Sequence, residues 1–117
     1  MRKFLVGLVA LTAMTTGLVL AADVGPKMDV AAVRDALTQK FPNEHVAGAH
    51  VVGNYALLDW YDQHSSGYGT YKRVSGERWK QIDWGGGATN VSLLVQHGVP
   101  AAVARQLCSG WGSASPC

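Results

Sequence analysis

Residues 51–84 read VVGNYALLDWYDQHSSGYGTYKRVSGERWKQIDW, and this stretch decides the fold. Its apolar positions are rich in valine, tyrosine and tryptophan, which are residue types that favour strands. Three short polar segments that contain glycine interrupt it, at Gly53-Asn54, at residues 64–67 and at residues 75–77. Glycine accepts the positive φ that a tight hairpin turn requires. The pattern therefore predicts four consecutive antiparallel strands joined as a meander.

The segments before and after the strands have apolar residues at helical spacing. The apolar positions before the strands recur every three or four residues, at Val30, Val33, Leu37 and Phe41. We expect Asp29 to cap this helix at its N-terminus and Pro42 to end it. After the strands, Asn90 is placed to cap one short helix and Pro100 to begin another. The expected fold class is α+β, with an N-terminal helix, a four-stranded antiparallel meander and two short C-terminal helices.

Residues 1–21 have the composition of a signal peptide. Arg2 and Lys3 precede an uncharged apolar run that ends in small residues. Cleavage is predicted after Ala21, with Ala22 as the neighbouring option. A retained membrane anchor is the alternative, because a run of about 19 apolar residues can span a bilayer. The small residues at its end and the lack of a following basic cluster favour cleavage.

Loss of Arg2 and Lys3 would lower the net charge of the chain from +2 to zero. Nucleic-acid binding is not expected, because a neutral domain lacks the basic surface that neutralises phosphates. The remaining chain is predicted to comprise a flexible lead at residues 22–28, a single α+β domain at residues 29–108 and an irregular tail at residues 109–117. We expect the mature protein to be periplasmic or secreted, without a stable membrane anchor.

The only two cysteines of the sequence, Cys108 and Cys117, lie within its last ten residues. An oxidising compartment and an even count favour a disulfide between them. This bridge would fix the tail next to the last helix. Free thiols that bind a metal are the alternative interpretation.

Catalytic and metal-binding patterns are sparse. Asp62 and His64 share a strand face if the second strand extends that far, and with His97 they form a candidate metal site. The alternative is that they are solvated turn residues. Ser65 beside His64 does not constitute a catalytic triad, because a triad depends on spatial geometry. We therefore expect no enzyme activity and no cofactor, and we retain metal handling as the second functional hypothesis.

Aromatic side chains are the more suggestive feature of the strands. Alternation places apolar bulk on both faces of the sheet, so one face can pack on helices while the other binds a partner. The residues predicted for this binding surface are Tyr55, Tyr61, Tyr71 and Trp84. Two alternatives are that helices and loops cover both faces, or that the protein dimerises through the sheet. The expected function is non-catalytic binding of another exported protein or an envelope component, by a monomer or a homodimer.

A set of turn and strand positions between residues 51 and 107 also carries a family resemblance. These positions are Val52-Gly53-Asn54-Tyr55-Ala56-Leu57, Gly67, Gly69, Lys72-Arg73, Gly76, Trp79, Gly85-Gly86-Gly87 and Gly98-Val99-Pro100. Their layout resembles that of small secreted cyanobacterial proteins of unknown function, and of periplasmic proteins described as copper-uptake-associated. The resemblance implies an exported accessory protein. It does not imply a copper site, because the copper-associated pattern has a cysteine where this chain has Asp83-Trp84-Gly85.

Overall fold

A computed structural model describes residues 23–112 and 115–117. Its elements, in chain order, are α1 (Lys27–Lys40), β1 (His45–Val52), β2 (Tyr55–Tyr61), β3 (Ser66–Ser75), β4 (Arg78–Gly86), α2 (Val91–Gln96) and α3 (Ala101–Leu107). The four strands form one sheet in the order β1-β2-β3-β4, and each neighbouring pair is antiparallel. The predicted fold class is confirmed. The predicted signal peptide, residues 1–21, lies outside the described residues.

Helix α1 begins three residues earlier than predicted, and Asp29 does not cap it. The residue at the cap position is Pro26, which provides no side-chain hydrogen bond. Asp29 lies in the first turn, where a carboxylate interacts favourably with the helix dipole. Its two oxygens accept hydrogen bonds of 2.9 and 2.8 Å from the guanidinium of Arg73. The carboxylate therefore joins α1 to β3.

Helices cover both faces of the sheet. Helix α1 lies on one face, here called the α1 face, over a core formed by Val30, Val33, Leu37, Ala49, Val51, Ala56, Leu58, Trp60 and Tyr71. Helices α2 and α3 lie on the opposite face, here called the α3 face, over a core formed by Leu57, Tyr68, Leu94, Val99, Ala104, Leu107 and Trp111. The structure thus selects the alternative in which both faces are covered.

Aromatic rings on the α1 face stack over a strip of glycine backbone. The Trp60 ring is stacked on Trp84 at 4.8 Å between centroids, and Trp84 is stacked on Phe41 at 4.0 Å. Gly67 is paired with Trp60 across the sheet. A Cβ atom at Gly67 would lie 2.6 Å from Cζ2 of Trp60 and would overlap the carbonyl oxygen of Gly85. The tryptophan rings therefore require glycine at this position.

The C-terminal tail is held against the domain. Cys108 and Cys117 form the predicted disulfide, with their Cα atoms 5.5 Å apart. Within the tail, Trp111 is buried and stacks on the imidazole of His50 at 3.7 Å. The carbonyl of Pro116 accepts a 2.7 Å hydrogen bond from a backbone amide of the loop before α2. The tail is irregular, as expected, but it forms part of the α3-face core.

Replacing both cysteines by serine (Cys108→Ser with Cys117→Ser) is expected to lower the free energy of unfolding by about 2–3 kcal/mol, because the unfolded chain loses its only short covalent loop. Urea denaturation followed by tryptophan fluorescence measures this loss. The wild-type protein, reduced, is the matched control and should show the same loss. Equal stability of the oxidised and reduced proteins would show that the tail does not need the bridge.

The two edges of the sheet differ. Along β1, the amide of Val24 donates to the carbonyl of Ala49, and the carbonyl of Val24 accepts from the amide of Val51, at 3.0 and 2.7 Å. The Asp23 carboxylate accepts a further hydrogen bond from the amide of Ala49. The β1 edge is therefore partly closed by the chain itself. Among residues 23–112 and 115–117, no segment pairs with the outer edge of β4, and none of its nine residues is buried.

Candidate functional site

The predicted aromatic surface does not form as one patch. Tyr71 is only 1% exposed and lies under α1, and Trp84 is half-buried in the ring stack on the same face. Tyr55 packs against the core of the opposite face. Tyr61 remains 48% exposed, at the end of β2. The prediction for Tyr71 is therefore wrong: α1 covers the face on which its ring lies, so a partner cannot reach it.

The three predicted metal ligands are not brought together. Strand β2 ends before Asp62, whose carboxylate accepts 2.8 Å hydrogen bonds from the backbone amides of His64 and Ser65. The bond from His64 is the main cause that lowers the pKa of Asp62 to about 2. His97 ends α2, where its Nε2 atom lies 3.5 Å from a carboxylate oxygen of Asp83. In the part of the chain that the structure describes, no three His, Cys, Asp or Glu side chains form a metal-binding group.

An open cleft of about 500 Å³ lies beside this turn, lined by Pro42, Asn43, His45, Asp62, Gln63 and His64. The neighbouring carboxyl of Glu44 has a raised pKa, first because it is desolvated and second because it hydrogen-bonds Asp62. The Asp62 carboxylate is already used by the backbone of its own turn. This cleft is therefore explained by turn formation and by a carboxyl pair.

A second concavity lies between α1 and β4, and we call it, together with the open edge of β4, the α1–β4 seam. The groove measures about 410 Å³ and is lined by Ala32, Asp35, Ala36, Gln39, Glu77, Arg78 and Trp79. Ala32 and Ala36 lie one turn apart on α1, so two small side chains face the same gap. The half-buried Trp79 ring forms the β4 side, with the Arg73 guanidinium 4.5 Å from its centroid. The two alanines and the Trp79 ring give the groove an apolar part, and its other lining side chains are polar or charged.

Three buried polar atoms along the seam have no hydrogen-bond partner among the described residues. They are Nε1 of Trp79, Oε1 of Gln81 and the hydroxyl of Tyr71. Tyr71 is directly opposite Gln81 in the β3–β4 register. Desolvation raises the pKa of Tyr71 far above its usual range, so the hydroxyl stays protonated. The protein itself covers all three atoms, so they belong to the packing between α1 and the sheet and are not contact points for a partner.

The hydrogen bonding of β3 shows which backbone groups of β4 point away from the sheet. The amide of Arg73 donates to the carbonyl of Asn54, on the β2 side of β3. Backbone groups alternate in direction along a strand, so those of Lys72 face β4, where they meet the paired residue Lys80. Trp79 and Gln81 lie on either side of Lys80, so their N–H and C=O groups point away from the sheet.

The α3 face of the same edge is positively charged. Lys72 and Lys80 are directly opposite each other, and both side chains are exposed. Like charges in this position are destabilising by up to about 1 kcal/mol. Neither ammonium group has a carboxylate partner within the described ranges. The open edge therefore presents a groove on one face and two uncompensated cations on the other.

Sequence reasoning found only part of this seam. The meander predicts that β4 lies at an edge of the sheet, but the predicted aromatic surface does not include Trp79, which lines the groove. Two signals were missed: the alanines at Ala32 and Ala36, which look like ordinary helix residues, and the adjacent positive charges at Lys72 and Lys80, whose pairing depends on the register.

No helix in the described ranges is both long enough and apolar enough to cross a membrane. Comparisons with known protein families, with curated proteins and with solved structures found no match.

Proposed function

We propose that the protein is a small periplasmic or secreted protein that catalyses nothing and binds another exported protein at the α1–β4 seam. One observation carries the proposal: the chain partly closes the β1 edge with its own N-terminal segment and leaves the β4 edge open beside a groove. An open edge is a template for pairing with another chain, and proteins usually cover or shorten such edges. A nine-residue edge strand that stays open is therefore suited to a partner.

Export is supported by the signal-like composition of residues 1–21 and by the disulfide, which is typical of an oxidising compartment. The resemblance to exported bacterial proteins agrees with this location. The non-catalytic role rests on the sequence, which has no nucleophile and base at a recognisable spacing.

Site-specific photocrosslinking in a host that exports the protein tests the binding surface. A photoreactive amino acid in place of Lys80 is expected to form an adduct with another exported protein. The matched control places the same amino acid at Arg105, an exposed position on α3. Equal adducts from both positions, or an adduct from Arg105 alone, would contradict the proposal.

A groove-filling substitution tests whether α1 takes part. Ala36→Arg places a long side chain in the groove and is expected to abolish the Lys80 adduct, because the partner loses its space beside Trp79. Ala102→Arg makes the same chemical change at an exposed position of α3 and should leave the adduct unchanged. Circular dichroism of both variants checks that the fold is retained. An unchanged adduct with folded Ala36→Arg would exclude the groove.

A further inference from the structure

We infer that the partner supplies an extended segment that adds to β4 as a fifth strand, with an acidic residue opposite Lys80, an apolar residue opposite Trp79 and a hydroxyl residue opposite Gln81. The inference rests on the proposed function and specifies the chemistry of the partner.

The backbone supplies the pairing. Trp79 and Gln81 direct their N–H and C=O groups outward, and they are separated by one residue. This is the spacing at which an added strand forms pairs of main-chain hydrogen bonds with an edge. The β3–β4 register shifts on both sides of this segment, between Arg78 and Trp79 and between Gln81 and Asp83, which limits regular pairing to residues 79–81.

Alternation then assigns each side chain of the added strand. Residues opposite Trp79 and Gln81 point to the α1 face, and the residue between them points to the α3 face. An apolar side chain opposite Trp79 enters the groove beside Ala32 and Ala36. A threonine or serine opposite Gln81 is small enough to lie beside this half-buried side chain, whose Oε1 atom the protein already covers.

The charge of the edge selects the central residue. An acidic side chain opposite Lys80 lies beside the Lys72–Lys80 pair and reduces the repulsion between the two ammonium groups. The same charges disfavour a second copy of this chain. Pairing of two β4 strands about Lys80 would place Lys80 against Lys80, and pairing about Trp79 would place Lys80 against Arg78. The charges in these two registers therefore favour a different chain that carries an acidic residue opposite Lys80.

Two peptides of identical composition provide the probes. The first peptide is acetyl-Ser-Val-Glu-Thr-Glu-Val-Ser-amide, whose sequence reads the same in both directions. Whether it adds parallel or antiparallel to β4, it can place a valine opposite Trp79, a glutamate opposite Lys80 and the threonine opposite Gln81. In acetyl-Ser-Glu-Val-Thr-Val-Glu-Ser-amide, the valine and glutamate positions are exchanged. We expect the first peptide to bind the exported, oxidised protein at least about tenfold more tightly, with amide shifts in nuclear magnetic resonance spectra confined to β4 and α1.

Backbone and charge controls complete the test. N-methylation of one alternate set of amides in the first peptide should weaken binding roughly tenfold, and methylation of the other set should not, because only one set faces β4. Lys80→Glu should weaken the first peptide and restore binding to a version with lysine in place of glutamate. Equal binding of the two parent peptides, or equal effects of the two methylated sets, would overturn the inference.

The outcomes separate the inference from the proposed function. If the Lys80 crosslink forms but neither peptide binds, strand addition is wrong and partner binding at the seam stands. If the crosslink fails both at Lys80 and at Arg78, an exposed position of the same strand that leaves Lys80 in place, the proposed function is wrong. A dimer in light scattering that Lys80→Glu alters would show that the occupant is a second copy and would overturn the inference.

Discussion

Gly67→Ala is expected to lower the free energy of unfolding by more than about 3 kcal/mol or to prevent folding altogether. The added Cβ atom would overlap the carbonyl oxygen of Gly85 and lie 2.6 Å from Cζ2 of Trp60. Neither neighbour can move freely, since Gly85 is ladder backbone and Trp60 is stacked on Trp84. The substitution would therefore separate β3 from β4 or displace the ring stack.

Gly86→Ala is the matched control, because Gly86 is paired with Gly67 across the ladder. A Cβ atom there would be 3.8 Å from its nearest neighbour, the carbonyl oxygen of Ser66, so a change within about 0.5 kcal/mol is expected. Urea denaturation of both variants, with circular dichroism for any variant that aggregates, makes the comparison. Similar stabilities for the two variants would show that the ring stack does not depend on glycine backbone beneath it.

Arg73→Ala has the second largest expected effect, a loss of about 2–4 kcal/mol in the free energy of unfolding. The guanidinium binds both carboxylate oxygens of Asp29 in α1 and is only 20% exposed in its side chain. It also donates to groups in the two adjoining hairpin turns: the carbonyls of Gly53 and Gly76 and Oδ1 of Asn54. Truncation would leave a half-buried carboxylate without its cation and would remove the contact with the Trp79 ring.

Arg73→Lys separates charge from geometry. Lysine keeps the positive charge but cannot form the paired hydrogen bonds of a guanidinium, so it should recover less than half of the lost stability. Equilibrium urea denaturation of the wild type and both variants measures this. Full recovery by lysine would show that charge alone joins α1 to the sheet.

The same ion pair predicts an acid dependence of stability. The hydrogen bond from Arg73 lowers the pKa of Asp29 below its ordinary value of 3.8. A carboxyl whose pKa is lower in the folded state stabilises the fold above its unfolded pKa, and this contribution is lost as the pH falls through the folded pKa. Stability of the wild type should therefore decline below about pH 4 more steeply than that of Asp29→Asn. Parallel pH profiles for the two proteins would contradict this role.

Local patterns in the sequence were sufficient for most of the fold. The Gly53-Asn54 turn, the Asn90 cap and the cysteine pair each depend on residues close together in the chain, and the structure confirms all three. The role of Asp29 could not be read in this way. Its partner, Arg73, is 44 residues away, and only the docking of α1 across the sheet brings them together.

The candidate site was less predictable because it depends on which element covers which surface. The predicted binding surface combined Tyr55 and Tyr71, but the structure places them on opposite faces of the sheet. Strand patterns do not show which of two apolar faces a helix will cover. Here helices cover both, so Tyr71 is buried. The open edge of β4 is distinctive only by comparison with the partly closed edge of β1. That closure depends on Val24, which lies in a segment predicted to be a flexible lead, so the sequence did not reveal the difference between the edges.

The meander also has a kinetic consequence. Because each strand pairs with the one before it through a short turn, the sheet can form progressively from its N-terminal end, and low sequence separation between contacts favours rapid folding. At every stage of such growth, the strand added most recently is the exposed edge of the sheet. In the folded protein β4 occupies that position. Its outer edge therefore has the same unpaired backbone groups with which each earlier strand paired with the next one.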